Sequence, residues 1–143
     1  MLEITRQADY ALRAAVEVAR ISNGERAPTA VIAARQQIPL PFLAKIVSQL
    51  VVRGIFEATR GASGGVSLAR PASEITMLEI IEAIDGPIML NRCTRDPSVC
   101  ELSGSCPFCE IFTEAQTALV RRLGSITLDD LVKRVESMEK SAA

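Results

Sequence analysis

The sequence predicts a mostly α-helical protein with one small β-hairpin. Three observations carry this expectation. Ala, Leu, Ile and Val dominate the apolar 48% of the 143 residues, while aromatics make up only 3%. Apolar residues recur at three- and four-residue steps along most of the chain, the period of an amphipathic helix. One stretch breaks that period: two short β-like runs flank Gly61-Ala62-Ser63-Gly64-Gly65, three glycines in five positions.

The first helix is expected over residues 5–21. Leu12, Ala15, Val16 and Ala19 form its apolar side, Arg6, Arg13, Glu17 and Arg20 fall on other faces, and Asn23-Gly24 ends it. A second, short helix covers 29–37, with Pro28 before it and Val31, Ile32 and Ala34 on its apolar side. A third covers 41–53. Pro41 suits its first turn, Gly54 suits the position just past its end, and Leu43, Ile46, Val47 and Leu50 make its buried stripe. Strands are expected at 55–60 and 66–69, joined by the glycine turn.

Three helices followed by a hairpin is the order of a winged helix-turn-helix. Residues 1–75 are therefore expected to form a DNA-binding module, with the third helix in the major groove and the hairpin as its wing. The groove side of that helix carries Pro41, Phe42, Ala44, Lys45, Ser48 and Gln49. Lys45, Ser48 and Gln49 suit phosphates or base edges, and Phe42 suits a thymine methyl. Arg60 precedes the wing turn, placed for a narrow minor groove, and Gly61, Gly64 and Gly65 shape that turn. The plainer alternative puts Phe42 in the core, leaves Lys45 and Gln49 merely solvated, and makes the module a protein-binding one.

Charge divides unevenly along the chain. Residues 1–70 hold nine Lys/Arg and five Asp/Glu, a net of +4; residues 71–143 hold seven and twelve, a net of −5. The first half suits a polyanion and the second is repelled by one. There is no histidine, so a Ser-His-Asp triad, a Cys-His dyad and a His-ligated zinc enzyme are excluded within one chain. A non-enzyme is the expectation. No run of 18 apolar residues suggests a membrane span, and residues 1–7 lack the apolar core of a signal peptide. The expected location is cytoplasmic.

Residues 76–143 are expected to form a cysteine loop and a helical dimerisation region. A helix over 76–85 opens with Thr76 and Glu79 as a capping box and stops at Gly86-Pro87. From 88 to 107 periodicity is lost. All four cysteines of the chain, Cys93, Cys100, Cys106 and Cys109, fall in or beside this segment, with six, five and two residues between them. Four clustered thiols suit an iron–sulfur cluster first. Metal-free thiol sensing is the second reading and zinc the third, because only Cys106 and Cys109 form a tight pair; an iron–sulfur electron-transfer protein is the further alternative, against which the Gly61–Gly65 wing and the positive first half count. Helical period resumes over 108–123, with Phe108, Ile111, Phe112, Ala115, Leu119 and Leu123 along one side and Gly124 interrupting it. Thr127 caps a last helix over 128–139. A long helix beyond a small module pairs most simply with a second copy, and an intramolecular return onto the first helix remains open beside that.

These elements together resemble the bacterial IscR/NsrR-type winged-helix regulators, which bind iron–sulfur clusters. The resemblance runs through nearly the whole chain: Ile4-Thr5 and Ala8-Asp9-Tyr10-Ala11-Leu12-Arg13, Arg60-Gly61 with Gly64-Gly65, the cysteine loop, and Ile126-Thr127-Leu128-Asp129-Asp130-Leu131. It implies a homodimeric transcription regulator, expected to repress, on palindromic promoter double-stranded DNA. It implies Cys93, Cys100 and Cys106 as ligands of a 2Fe-2S or 4Fe-4S cluster that senses redox state, nitric oxide or iron status. The fourth ligand varies in this family, being a His at the place of Cys109 or an Asp at the place of Asp9 from the partner subunit. This chain has both Cys109 and Asp9, and a thiolate is the better iron donor. The groove-reading helix departs from several members at Pro39, Pro41 and Ala44, and the interval from Cys93 to Cys100 is one residue longer than in several members.

Overall fold

The computed structural model describes residues 2–21, 25–62 and 64–143. The expected Asn23-Gly24 helix stop, and Ser63 of the wing turn, lie outside the described residues. Helix α1 is Arg6–Ile21. Thr5 starts it: its carbonyl accepts the Asp9 N–H at 3.0 Å and its hydroxyl accepts the Ala8 N–H at 3.1 Å. The buried face of α1 is Ala8, Ala11, Ala14, Ala15 and Val18, with Leu12, Val16 and Ala19 only partly covered. That face is rotated from the expected one because α2, α3, α4 and α7 all pack around α1, and small alanines let their backbones come close. Glu17, expected outside, is buried as a result.

Helices α2 (Thr29–Gln36) and α3 (Leu40–Val52) are joined by a tight turn. Gln37 takes the left-handed conformation there, with φ of 53°, and the Ile38 N–H reaches back to the Ala33 carbonyl at 3.0 Å. Helix α3 begins one residue earlier than the sequence predicts, with Pro39 at its cap, and Gly54 follows its end at φ of 70°. Strands β1 (Phe56–Thr59) and β2 (Gly65–Leu68) pair antiparallel, Phe56 opposite Leu68 and Thr59 opposite Gly65. Ala27 adds a bridge to Val66 through two 2.8 Å hydrogen bonds, tying the chain before α2 to the wing.

Helix α4 (Met77–Asp85) has the expected Thr76–Glu79 capping box. The cysteine segment carries more order than expected: a short helix α5 (Arg92–Arg95) and a 3-10 turn over Pro97–Val99. Helix α6 is Pro107–Gly124 and α7 is Leu128–Ala142, the latter outrunning the expected end by three residues. Thr127 caps α7 in a box with Asp130. The two capping threonines, Thr76 and Thr127, pair as a β-bridge, so α4 and α7 start side by side. The Met77 N–H donates to Ile126 and the Leu128 N–H to Ile75, each at 2.8 Å.

One apolar core joins α1, α2, α3, the hairpin and α4, with Leu128 of α7 inserted into it. Phe56, Ile32, Leu43, Ile46, Leu50, Ile55, Ile75 and Ile80 are among its fully buried side chains. Each contributes roughly 1.5–3 kcal/mol against solvent exposure. Helix α7 packs on α1, the intramolecular return left open by the sequence. Helix α6 buries no residue. Among the described residues no helix is long and apolar enough to cross a membrane.

Candidate functional site

Helix α3 turns Leu43, Ile46, Val47 and Leu50 inward. Phe42, Ala44, Lys45 and Ser48 are exposed, with Phe42 at 50%, so Phe42 is not a core residue. Gln49 is half-buried, and its Oε1 is buried without a hydrogen-bond partner. Two-pronged reading of adenine needs that oxygen, so the Gln49 side chain must swing outward to do it.

A cleft of about 780 Å3 runs between α3 and the wing. Ser48, Arg60, Gly61, Gly64 and Gly65 line it together with the start of α2; Phe42, Lys45 and Gln49 do not. Two of the wing glycines are required by close approach. A side chain at Gly64 would collide with the Thr59 carbonyl oxygen, and one at Gly65 would come within 2.7 Å of the Ala27 carbonyl oxygen. The hairpin can therefore turn back on itself and reach the strand-like Ala27 only without those Cβ atoms.

The position of α3 is set partly from α1. Glu17 is 3% exposed, the one buried charged side chain among the described residues. Its Oε1 accepts from Arg35 Nη1 at 2.8 Å and its Oε2 from Gln36 Nε2 at 2.9 Å. Arg13 Nη1 donates to the Gln36 carbonyl at 2.9 Å. These bonds hold the last two residues of α2, directly before the turn into α3. Burial pushes the Glu17 carboxyl up, but the hydrogen bonds from Arg35 and Gln36 and the charges of Arg35 and Arg20 outweigh it and leave the group below its ordinary value. Sequence reasoning missed this clamp, since an acidic residue in an amphipathic helix reads as solvated until its distant partners are known.

The four cysteines come from adjoining elements. Cys93 lies on α5, Cys100 follows the 3-10 turn, Cys106 caps α6, and Cys109 sits in its first turn. All four are free, partly buried, and line a single pocket of about 210 Å3 with Arg92, Val99, Phe108 and Phe112. Partial burial, a hydrogen bond with Cys109, and the charges of Cys109 and Cys100 push the Cys93 thiol above its usual range. Among the described residues no three His, Cys, Asp or Glu side chains converge tightly enough to hold one ion. Four soft donors spread around one pocket match the chemistry of a multi-iron cluster with thiolate ligands.

Local polar groups shape the segment. The Asn91 Oδ1 accepts the Arg92 N–H at 2.7 Å, and the Asp96 Oδ1 accepts the Ser98 N–H at 3.0 Å and hydroxyl at 2.6 Å. Gln116 of α6 anchors it: its Oε1 accepts the Leu90 N–H at 2.9 Å and the Thr94 hydroxyl at 2.6 Å. Asn91 and Asp96-Pro97-Ser98 are turn and cap signals that were available in the sequence; Gln116 gave none. At the other side, Asp85 at the end of α4 accepts from both the N–H and the hydroxyl of Thr5. Asp9, one turn into α1, is exposed and paired with Arg13 at 3.2 Å, and it does not line the cysteine pocket of its own chain.

Comparison with known proteins fits this geometry. The family model described as "Rrf2: Iron-dependent Transcriptional regulator" matches residues 4–134. The HTH-type transcriptional regulator IscR of Xenorhabdus nematophila is 31% identical over 138 residues, which cover 96% of this chain and 84% of that protein. The HTH-type transcriptional regulator NsrR of Oceanobacillus iheyensis is 30% identical over 138 residues, covering 96% and 94%. Among solved structures, CymR, the global cysteine regulator of B. subtilis, superposes with a TM-score of 0.78 at 28% identity, covering 94% of this chain and 98% of its own. IscR of T. potens shares the fold, with a TM-score of 0.77 over 96% of this chain and 90% of that one. These relatives are regulators rather than enzymes, and the hairpin beside α3 is the wing of a winged helix. The chain belongs to the Rrf2 family of transcription regulators.

Proposed function

We propose that two copies of this chain form a homodimer on palindromic promoter DNA, and that an iron–sulfur cluster held by Cys93, Cys100, Cys106 and Cys109 sets its affinity. The observation that carries this reading is that the only four cysteines of the chain line one pocket at the junction of α5 and α6. A bound cluster would supply a cross-link sensitive to oxidants and nitric oxide. The residues of the chain supply the rest. Cys93 ties α5, and Cys106 and Cys109 tie the first turn of α6, so ligation by all of them locks the segment onto that helix. Helix α6 presents Phe108, Ile111, Phe112 and Leu119 to solvent, an apolar stripe suited to a second copy. Phe108 and Phe112 also line the cysteine pocket, so the pairing surface and the thiols share side chains. Two recognition helices on one operator must sit about 34 Å apart, and a shift in α6 pairing changes that spacing. In this reading Lys45, Ser48, Gln49 and Phe42 contact the major groove while Arg60, Gly61, Gly64 and Gly65 of the wing approach the backbone or minor groove.

Anaerobic purification with a visible spectrum and an iron count tests the cofactor. Brown protein with several irons per chain supports it; colourless, iron-free protein that still regulates its promoter overturns it. Equal promoter affinity with and without cluster defeats the switch. Loss of the spectrum in Cys109→Ala but not Asp9→Ala assigns the fourth ligand to the thiol.

A metal-free thiol regulator is the second reading, favoured by four free thiols lining one pocket among the described residues. It expects colourless protein in which an added disulfide oxidant removes two hydrogens from one thiol pair and changes DNA affinity.

A further inference from the structure

We infer that the first turn of α3 reads pyrimidine 5-methyl groups, accepting thymine and 5-methylcytosine alike at its contact positions and disfavouring uracil and unmethylated cytosine. The inference rests on the DNA-binding role of α3 and names the class of sequence that the helix takes.

The N-terminal residues of a recognition helix are the ones that meet base edges. In this chain they are apolar: Leu40 and Phe42 are each 50% exposed, Pro41 and Ala44 are exposed, and the first exposed polar residue of the helix is Lys45. Large apolar side chains held open to water await an apolar surface. Its surroundings identify that surface as part of a polyanion. Between Arg26 and Phe56 the chain has no Asp or Glu; Arg35 is taken up by Glu17 and Arg53 lies beside Glu79 and Glu82, which leaves Arg26 and, one turn beyond Phe42, the exposed Lys45 as the cations.

The major groove offers one apolar group, the methyl on C5 of thymine. The same residues say what is not read. Cytosine shows an amino donor in the groove, for which a carboxylate is the matching acceptor. Neither α2 nor α3 has a carboxylate, and the Gln49 carbonyl oxygen is buried. The Ser48 hydroxyl both donates and accepts, so it does not separate the thymine O4 from the cytosine amino group. Lys45, which only donates, would favour the thymine O4, but it lies beyond the first turn; at Leu40, Pro41 and Phe42 what remains is shape and apolar contact. A methyl on C5 of cytosine occupies the same place in the groove as that of thymine.

The test uses the full chain and the duplex it selects from a random-sequence library. Each thymine protected by the protein is resynthesised as uracil, cytosine or 5-methylcytosine, with the matching purine opposite. Thymine and 5-methylcytosine are expected to bind within about twofold of each other, and each lost methyl to weaken binding about fourfold. Phe42→Ser is expected to abolish the difference between thymine and uracil. Since Phe42 is half exposed, the variant is expected to fold, which circular dichroism checks. Equal binding of thymine and uracil, a 5-methylcytosine site as weak as a cytosine one, or an unchanged methyl preference in Phe42→Ser would each overturn the inference. A chain that selects no duplex at all overturns the DNA-binding reading beneath it, an outcome distinct from selective binding without methyl preference.

Discussion

Two regions of the chain show the same kind of apolar periodicity and put it to opposite use. In α1–α4 and the hairpin, the apolar faces close on one another, and of the largest fully buried side chains only Leu128 comes from beyond Ile81. In α6, an 18-residue helix with Phe108, Ile111, Phe112 and Leu119 on its surface, nothing is buried. An amphipathic pattern states that a face needs cover; it does not state that the same chain supplies it. The first region has a closed core that fixes the geometry of a DNA reader. The second carries the thiols and an open face; α6 meets the body along α4, and Gln116 ties α6 to Leu90 and Thr94 of the cysteine segment. Low local packing of that kind marks the segments that move when a signal arrives.

The largest effect that tests this contrast is a matched pair of phenylalanine truncations. Phe56→Ala removes a fully buried ring and is expected to cost about 3–5 kcal/mol of unfolding free energy. Phe108→Ala removes a ring that is 62% exposed and is expected to stay within about 0.5 kcal/mol in dilute protein. Urea unfolding of both at low concentration measures the difference, and sedimentation should show self-association lost in Phe108→Ala alone. Equal destabilisation by the two would mean that α6 is covered within its own chain, and the contrast would fail.

Next in size is the clamp on the reader. Glu17→Ala removes the acceptor of Arg35 and Gln36 and is expected to cost about 1–2 kcal/mol, less than a fully buried pair because the Arg35 side chain is 59% exposed and returns to water. The same group gives a pH signature. Its folded-state pKa lies below its ordinary 4.5, so its stabilisation is complete above that pH and is lost as pH falls through the lowered value. Native protein and Glu17→Gln should therefore differ in stability at pH 6 and converge as acid is added. Parallel acid limbs would show that Glu17 is not bound as described.

How much of this could be read from residues alone follows the range of the forces involved. The Thr76–Glu79 box, the Gly54 stop and the wing glycines are local devices, and each is where the sequence puts it. The stripe Leu43, Ile46, Val47, Leu50 is likewise a local period, and so is the opposite side of α3, where Phe42, Ala44, Lys45 and Ser48 are exposed while Gln49 is half-buried. The rotated face of α1 was not legible. Its choice of Ala8, Ala11 and Ala14 over Leu12 and Val16 depends on four helices arriving from elsewhere in the chain. The shared thiol pocket was legible as a cluster of cysteines, but the α5 turn within it was hidden by loss of period, since four residues are too few to show one.

Smaller effects sharpen the boundary between the regions. Thr76→Ala and Thr127→Ala each remove a cap and are expected to cost about 1 kcal/mol. Because the two threonines are bridge partners, with Met77 bonded to Ile126 and Leu128 to Ile75, the losses should not add. The double variant is expected to lose less than the sum in urea unfolding, since the first substitution already loosens the joint.

The smallest effect lies in the turn between α2 and α3. Gln37 holds φ of 53°, a conformation that costs an ordinary residue roughly 1–2 kcal/mol and glycine nothing comparable. Gln37→Gly relieves that cost but enlarges the freedom of the unfolded chain, so a net gain of only a few tenths of a kcal/mol is expected. If the Glu17 contacts to Arg35 and Gln36 fix the reader, as the adjoining bonds indicate, operator selectivity should survive this change. A gain in stability with selectivity lost would place the rigidity of α3 in the backbone of the turn itself. The contrast between a closed reader and an open cysteine-bearing region would then depend on one strained residue rather than on the packing around it.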